Sequence, residues 1–582
     1  MGLNTLGESW LGSARSLPLA AEATEGVGVP MLDGMVGWPA ETAARYVANG
    51  YWQGVAIGDV FDQSVRRYAE REAVIDGRRR VKYQELGLLV DRLALHFAER
   101  GICGGRPVVF QLANSLECTA AYFACLKVGA IPIACLPAHR HSEIEHVARF
   151  TEANAWLIPS EYRGFDFAAM AEDLQGNLPA MREIVVAGGR RRRGMTLLSD
   201  LLDDPIEERR ARSSLDRLRP PAAFPAVFQL SGGSTGLPKV IPRTHNDYLY
   251  NSYLLAAKSG FEADGAALIA IPMMHNFPLA GALQPGLLTG GKIVLAQGSE
   301  PETVCDLIAG EHITWVCAVP AMVVNWLNAP GFRHTDLSSL KSLAVGGARL
   351  NPEPARRVLE EIGPVLTQVY GMAEGLCCTT RRDDPEEVIV ETQGRPVSEA
   401  DEFKIVDQQV NEVAPGELGE LLTRGPYTIR GYYRAPEHNR TAFTPDGFYR
   451  TGDMVRLHQS GNFIVEGRNK DLINRGGEKI SAEEIENLII THPAVLNTAV
   501  VAMPDPVMGE RACAYVVLRE GASLDFAQLC RFLELKRIAR FKLPERLELV
   551  KALPTTAVGK ISKKDLREDI KGKLQQDRSR ST

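Results

Sequence analysis

From about Gly37 onward the chain alternates amphipathic stretches with short apolar runs. Residues 86–101 (LGLLVDRLALHFAERG) carry apolar side chains at helical spacing and predict an amphipathic helix. Val108–Leu112 predicts a buried strand, residues 116–129 a second helix and Ile131–Cys135 another strand. This rhythm predicts a parallel sheet flanked by helices. Apolar runs at Pro225–Leu230, Ala267–Ile271, Ile293–Ala296, Trp315–Val319 and Val365–Val369 predict further strands.

From about Gly416 the pattern shifts to short strands with Gly-rich turns, as in GELGELLTRGPYTIRGYY. A turn-rich patch at Gly467–Gly477 leads into a helix from Ala482. Strands at Asn497–Met503 and Ala512–Leu518 and a helix near Phe526–Lys536 then predict a small separate α+β unit. The expected fold class is α/β: a large N-terminal domain of parallel-sheet α/β subdomains plus a β-rich subdomain, followed by a small α+β domain. The boundary is expected near Lys470, giving 37–469 and 470–582. Residues 1–36 are rich in Gly, Ala, Ser and Glu and read as a poorly ordered extension, with Met31 and Met35 as alternative starts. They lack the basic start and apolar core of a secretory signal.

Composition narrows the function classes. A chain of 582 residues exceeds one compact core and suggests two to four units. The net charge of −6 gives no general attraction to nucleic acid or anionic membrane. The run Arg190–Arg193, with Gly188, Gly189 and Gly194 around it, reads as a solvated loop. No apolar run approaches the ~20 residues that span a bilayer. The ten cysteines are scattered without zinc-site spacing and read as reduced, buried thiols of a cytoplasmic protein.

The first candidate chemistry is the segment Ser231-Gly232-Gly233-Ser234-Thr235-Gly236-Leu237-Pro238-Lys239, which follows the strand Pro225–Leu230. Glycines let the backbone turn tightly and offer N–H groups to an anion, and hydroxyls add donors. It is not the P-loop of nucleotide-binding ATPases, which ends in Gly-Lys-Ser/Thr and opens a helix. Pro238 precedes the lysine here, and Val240-Ile241-Pro242 follows, so Lys239 is expected on an extended or hairpin segment.

Four more motifs follow in order. They are Tyr370-Gly-Met-Ala-Glu374, expected after a strand; Tyr449-Arg-Thr-Gly-Asp453, expected before one; Gly467-Arg468-Asn-Lys470-Asp471; and Pro554-Thr-Thr-Ala-Val-Gly-Lys560. With these five the chain resembles the adenylate-forming superfamily of acyl-CoA ligases, peptide synthetase adenylation domains and luciferases, over about Gly37 to Leu574. Within it, Gln229–Lys239, His275-Asn-Phe-Pro-Leu279, Tyr370–Leu376 and Asn474-Arg-Gly-Gly-Glu-Lys479 look most like stand-alone aryl-acid AMP ligases such as 2,3-dihydroxybenzoate-AMP ligase.

The resemblance implies roles. ATP would be held by Ser231–Gly236, Lys239, Gly347, Val369, Tyr370 (stacked on adenine), Ala373, Asp453 (on the ribose hydroxyls), Arg468 and Lys560. Lys560 would bridge the substrate carboxylate and the α-phosphate, and His275 and Glu374 complete the implied catalytic set. Glu374 would also hold Mg²⁺, which suits a hard cation. Ala373 replaces a common superfamily Thr, as is usual in the aryl-acid branch. Lys470 stands at the family's hinge, about which the small domain would swing between adenylation and thiol transfer, with Lys479 serving the second pose. Adenylation needs no covalent enzyme intermediate, in keeping with motifs that hold no nucleophile–base pair.

The acid pocket is expected from Asn276, Phe277, Gly281, Gly347 and Cys377. Amino-acid-activating relatives place an aspartate here to pair the substrate ammonium, whereas Asn276 is neutral and offers a donor and an acceptor. This points to an aryl acid with an ortho hydroxyl or ring heteroatom. By the family pattern Gly281 replaces Ser or Cys, and Cys377 replaces Val. The expectation is a roomy floor for 2,3-dihydroxybenzoate-like or larger acids: a hydroxyanthranilate, a 3-hydroxypicolinate or a bicyclic acid. The resemblance implies a phosphopantetheine carrier protein in trans as acceptor, with no nucleic acid or membrane partner. An aryl-CoA ligase and a non-catalytic adenylate-binding regulator are the competing readings.

Overall fold

A computed structural model describes residues 32–231, 238–468, 473–475, 478–505, 508–536, 538, 542–556 and 560–580. Two largely parallel sheets dominate. The nine-stranded sheet has the parallel centre Glu72–Asp76, Lys292–Leu295, Ala266–Ile269, Trp315–Ala318, Ser342–Gly346 and Leu366–Gly371, with antiparallel strands at both edges. The seven-stranded sheet pairs Ile131–Ala134, Pro107–Phe110, Ala155–Pro159 and Glu183–Ala187 in parallel, and Pro225–Leu230 turns back antiparallel into Val240–Thr244.

The helix Leu116–Val128 shows why the sequence folds this way. Ser115 accepts the Cys118 N–H at its start, and Gly129, at φ 66°, ends it in the left-handed conformation. Every residue except Glu117 is buried, because the helix touches strands of both sheets. Successive strand residues face opposite sides: Val108 and Phe110 join the large shared core, and Val109 joins the core on the far face. Leu32 and Met35 already pack against that second core.

A four-stranded antiparallel sheet follows, from Glu402–Val406, Gly419–Arg424, Tyr449–Leu457 and Phe463–Arg468. Here the structure corrects two local expectations. Tyr449–Asp453 begins a strand instead of preceding one, and Gly467 and Arg468 end a strand instead of lying in a turn. Cross-strand pairing offered by the neighbouring strands overrides the turn propensity of these glycines. Residues beyond Ile473 build a further sheet around Val495–Asp505 and Gly509–Leu518, with two cores of their own. Lys470 lies outside the described residues.

Candidate functional site

Gly347, Val369 and Tyr370 lie at the carboxyl ends of the parallel strands, the usual crevice of open α/β sheets. Gly346 pairs with Val369, so Gly347 and Tyr370 emerge side by side. The Tyr370 hydroxyl donates to Asp453 Oδ2 at 2.7 Å, and the Thr451 hydroxyl accepts the Asp453 N–H. Asp453 stands opposite Arg468 in the strand register. Glu374 Oε1 accepts the Tyr432 hydroxyl at 2.7 Å, and that hydroxyl meets the Tyr449 hydroxyl at 2.9 Å. Arg243, fully buried on an ion pair with Asp247, donates to the Ala373 carbonyl at 2.9 Å. An uncompensated buried guanidinium would be costly, so Asp247 and Ala373 O fix where this turn sits.

Ser231 and Lys239 close a hairpin, as expected for an extended lysine. The Ser231 N–H donates to Lys239 O, and the Lys239 N–H donates to Ser231 Oγ, both at 3.0 Å. The Ser231 oxygen therefore braces the loop. The Lys239 ammonium lies 6.0 Å from the Tyr432 ring centroid, at the limit of a cation–π contact. Gly232, Gly233, Ser234, Thr235 and Gly236 lie outside the described residues.

Lys560 reaches this crevice from the C-terminal region. Its Cε would stand 2.9 Å from a Cβ added at Gly347, whose φ of +86° also disfavours a side chain. Only glycine there admits the lysine stem. His275 is near enough for the Lys560 charge to act on it. Burial first, and that charge second, push the imidazole down to about 3, so it is neutral at working pH. Its Nδ1 accepts the Phe277 N–H at 3.3 Å, which leaves Nε2 as the donor.

The side expected to take the acid is largely apolar. Asn276 begins a short helical turn that widens into a π turn over Leu279–Leu283, with Gly281 inside it. Such widened turns recur at functional sites because they re-aim side chains. A Cβ at Gly281 would lie 3.2 Å from Leu255 Cδ2 and 3.6 Å from both Phe277 Cδ2 and Trp315 Cη2. The floor opened by Gly281 is thus bounded by Leu255 from a neighbouring helix, and its room is smaller than the glycine alone suggests. Burial pushes the Cys377 thiol up to about 12, so it is not poised as a nucleophile. The Asn276 amide oxygen accepts the Tyr248 hydroxyl at 3.0 Å.

Near the crevice's C-terminal edge, Ser481 caps its helix and donates to the Glu466 carbonyl at 3.0 Å. Glu483 packs on Gly467, and burial pushes its carboxyl up to about 7. The side chains of Arg468 and Lys479 lie outside the described residues.

Sequence reasoning missed Tyr432, Arg243, Tyr248, Leu255 and Trp315. Tyr432 stood in a quoted stretch without a role. The other four lie in strands and helices whose apolar or amphipathic pattern signals core, and only the folded contacts set them apart. Among the described residues no group of three or more His, Cys, Asp or Glu could hold a metal, and no helix is long and apolar enough to cross a membrane. The ten cysteines are free, and all but Cys103 and Cys530 are buried. Arg191 and Arg192 are held in surface pairs with Asp200, Asp166 and Glu172.

Comparison with known proteins gives two family matches. The AMP-binding enzyme family matches residues 61–433, and the AMP-binding enzyme C-terminal domain matches residues 484–560. A salicylyl-CoA synthase / salicylate adenylyltransferase of Streptomyces sp is 47% identical, with 93% of this chain and 98% of that protein covered. The 2,3-dihydroxybenzoate-AMP ligase of Bacillus subtilis is 46% identical, over 94% of this chain and 99% of its own length. Among solved structures, apo MbtA of Mycobacterium smegmatis is 39% identical and superposes with a TM-score of 0.68, covering 92% of this chain and 98% of MbtA.

Proposed function

The chain belongs to the AMP-binding enzyme family, and from that premise we propose that it activates an aromatic carboxylic acid as its acyl-adenylate and then passes the acyl group to a thiol. A carboxylate oxygen attacks the α-phosphorus of ATP, an O–P bond forms, and pyrophosphate leaves as the α–β bond breaks. Both reactants are anions, so the protein must neutralise charge and hold them in line. Lys560 bridges the two. Its close passage over Gly347, beside neutral His275, is the observation that carries this reading. Asp453 takes the ribose hydroxyls beside Tyr370, with Arg468 assisting, and Val369 and Gly347 line the nucleotide with backbone. Ser231–Gly236, Lys239 and Ala373 are the residues proposed to serve the phosphates.

Glu374 suits Mg²⁺, which shares its ligands between one carboxylate and the phosphates. The Tyr432 hydroxyl occupies only one carboxylate oxygen and holds the other in place. Bound there, the ion would neutralise phosphate charge.

The acid is an aryl one. Asn276, Phe277, Gly281, Cys377, Leu255 and Trp315 present no carboxylate to an α-ammonium. The relatives named for salicylate and 2,3-dihydroxybenzoate support the same class. The acceptor is the phosphopantetheine thiol of a carrier protein in trans, in siderophore or related nonribosomal peptide assembly, with the small domain of 470–582 turning about Lys470 between steps. Coenzyme A is the second reading, because one relative is named both as a CoA synthase and as an adenylyltransferase. Ten free, mostly buried thiols suit a reducing cytoplasm.

Acid-dependent ATP–pyrophosphate exchange over a panel of aryl acids tests the first step. Exchange with none of them ends the proposal. Acyl transfer to a loaded carrier protein against coenzyme A decides the acceptor.

A further inference from the structure

The polarity of the acid pocket is set from behind it. Tyr248, on the helix His245–Lys258, is fully buried. Its ring lies under the Arg243 guanidinium, 4.8 Å from the centroid. Arg243 is itself pinned by Asp247, Asn251 and the Ala373 carbonyl. The Tyr248 oxygen accepts the Gln229 Nε2–H at 3.3 Å, and its hydroxyl donates to Asn276 Oδ1 at 3.0 Å.

A tyrosine hydroxyl has one proton. With Gln229 donating to the oxygen, that proton goes to Asn276. A turned-over Asn276 amide would point N–H at the same oxygen and leave the buried Tyr248 proton without an acceptor, which costs more than an ordinary hydrogen bond gains. Asn276 Oδ1 is therefore committed to Tyr248. Its Nδ2, which has no partner among the described residues, is the atom offered to the acid.

We propose that Tyr248 is a positioning residue that makes the Asn276 amide a hydrogen-bond donor to the substrate, so that the site selects aryl acids with an acceptor ortho to the carboxylate and rejects 2-amino acids. This rests on the aryl-acid reading above. A 2-hydroxy acid donates its phenol proton to its own carboxylate and turns an oxygen lone pair outward. A ring nitrogen beside the carboxylate carbon is a pure acceptor. A 2-amino acid spends one N–H on its carboxylate and turns the other outward, where it meets the Asn276 N–H. Of the acids considered from the sequence, the hydroxypicolinate and 2-hydroxy bicyclic types fit and the hydroxyanthranilates do not.

The test is ATP–pyrophosphate exchange by wild type and Tyr248→Phe. The acids are the unsubstituted, 2-hydroxy and 2-amino members of a benzoate series and of a 1-naphthoate series. Wild type is expected to favour the 2-hydroxy over the 2-amino acid by about 10–100-fold in kcat/KM, the usual scale for a mismatched buried polar contact. In Tyr248→Phe that ratio should fall to a few-fold, chiefly through KM, while the unsubstituted acid keeps its kcat/KM. Gln229→Leu, which removes the donor to the Tyr248 oxygen, should lower the same ratio by a smaller factor. A wild type that uses both acids equally overturns the proposal. So does a ratio unchanged in both variants, or an equal loss with the unsubstituted acid, since that marks a purely structural role. A wild type silent with every acid overturns the aryl-acid function itself, and this inference with it.

Discussion

On the proposed nucleotide side of the crevice, polar groups come already joined to one another. Tyr370 donates to Asp453, Tyr432 to Glu374, Arg243 to the Ala373 carbonyl, and Ser231 and Lys239 close their own hairpin. On the proposed acid side Phe277, Leu255 and Trp315 surround Gly281, and Asn276 commits its amide oxygen to Tyr248. The nucleotide side must hold a polyanion in a fixed pose, and preorganised donors and acceptors do that without moving at the moment of reaction. The acid side must tell one ring from another, and shape plus a single oriented dipole does that. One half of the site is built for charge, the other for fit.

Lys560 belongs to both halves, so the largest expected effects lie there. Lys560→Ala should keep ATP binding and lose exchange by about 10²–10³-fold, the scale of one donor at a developing charge. Near-normal exchange in that variant would remove Lys560 from the chemistry. Gly347→Ala should reproduce much of this loss with the lysine intact. The new Cβ would sit 2.9 Å from Lys560 Cε at a φ of +86°. Left-handed strain alone costs roughly 1–2 kcal/mol. The check is whether exchange falls by about tenfold or more while the variant still binds ATP.

A nucleotide-side change should leave acid preference alone. Asp453→Asn removes a charged acceptor that Tyr370 already orients, and charged hydrogen bonds contribute about 1.5–3 kcal/mol. KM for ATP is expected to rise by about 10–100-fold, with the ranking of acids unchanged. A reordered ranking would show the two halves to be coupled more tightly than their contacts suggest.

The same division decides how much the sequence revealed. The α/β pattern gave the central strands within a few residues, because strands buried on both faces leave continuous apolar runs. The nucleotide side was legible because its residues sit in short contiguous motifs between strand and turn. The exceptions are Tyr449–Asp453, read as preceding a strand, and Gly467–Arg468, read as part of a turn, because the pairing partners of each lie outside its own motif. Most of the acid side was not legible. Tyr248 and Leu255 occupy a helix, His245–Lys258, that carries none of the motifs, Trp315 is a strand residue, and each meets Asn276 or Gly281 only in space. Gly281 illustrates the gap: its missing side chain suggested room that Leu255 partly takes.

Acid-side changes should alter preference with little effect on ATP. Gly281→Ser would push against Leu255 at 3.2 Å. Exchange with bicyclic acids should fall by roughly tenfold, a few methylenes' worth of fit, and with monocyclic acids by less. Leu255→Ala in the Ser background should restore part of the loss. Unchanged preferences across the panel would mean the acid does not touch this floor.

The last expected effect concerns the proposed swing of the small domain. Glu483 is buried against Gly467, with Arg349, Glu466, Glu486 and Lys563 as the charges that face it. Burial raises its carboxyl to about 7, whereas a solvated Glu titrates near 4.3. In the proposed swing, the packed pose holds a proton that an opened pose would release. Its stability from this group is full below about pH 4.3 and is lost as pH rises through about 7. His275, down at about 3, does not titrate in that window. Raising the pH from about 6 to about 8 should shift the ratio of adenylation to thiol transfer by up to about tenfold toward transfer. Glu483→Gln, permanently neutral, should flatten that slope and keep the low-pH ratio throughout. A slope that survives in the glutamine variant would assign the pH dependence to another group and leave Glu483 as packing alone.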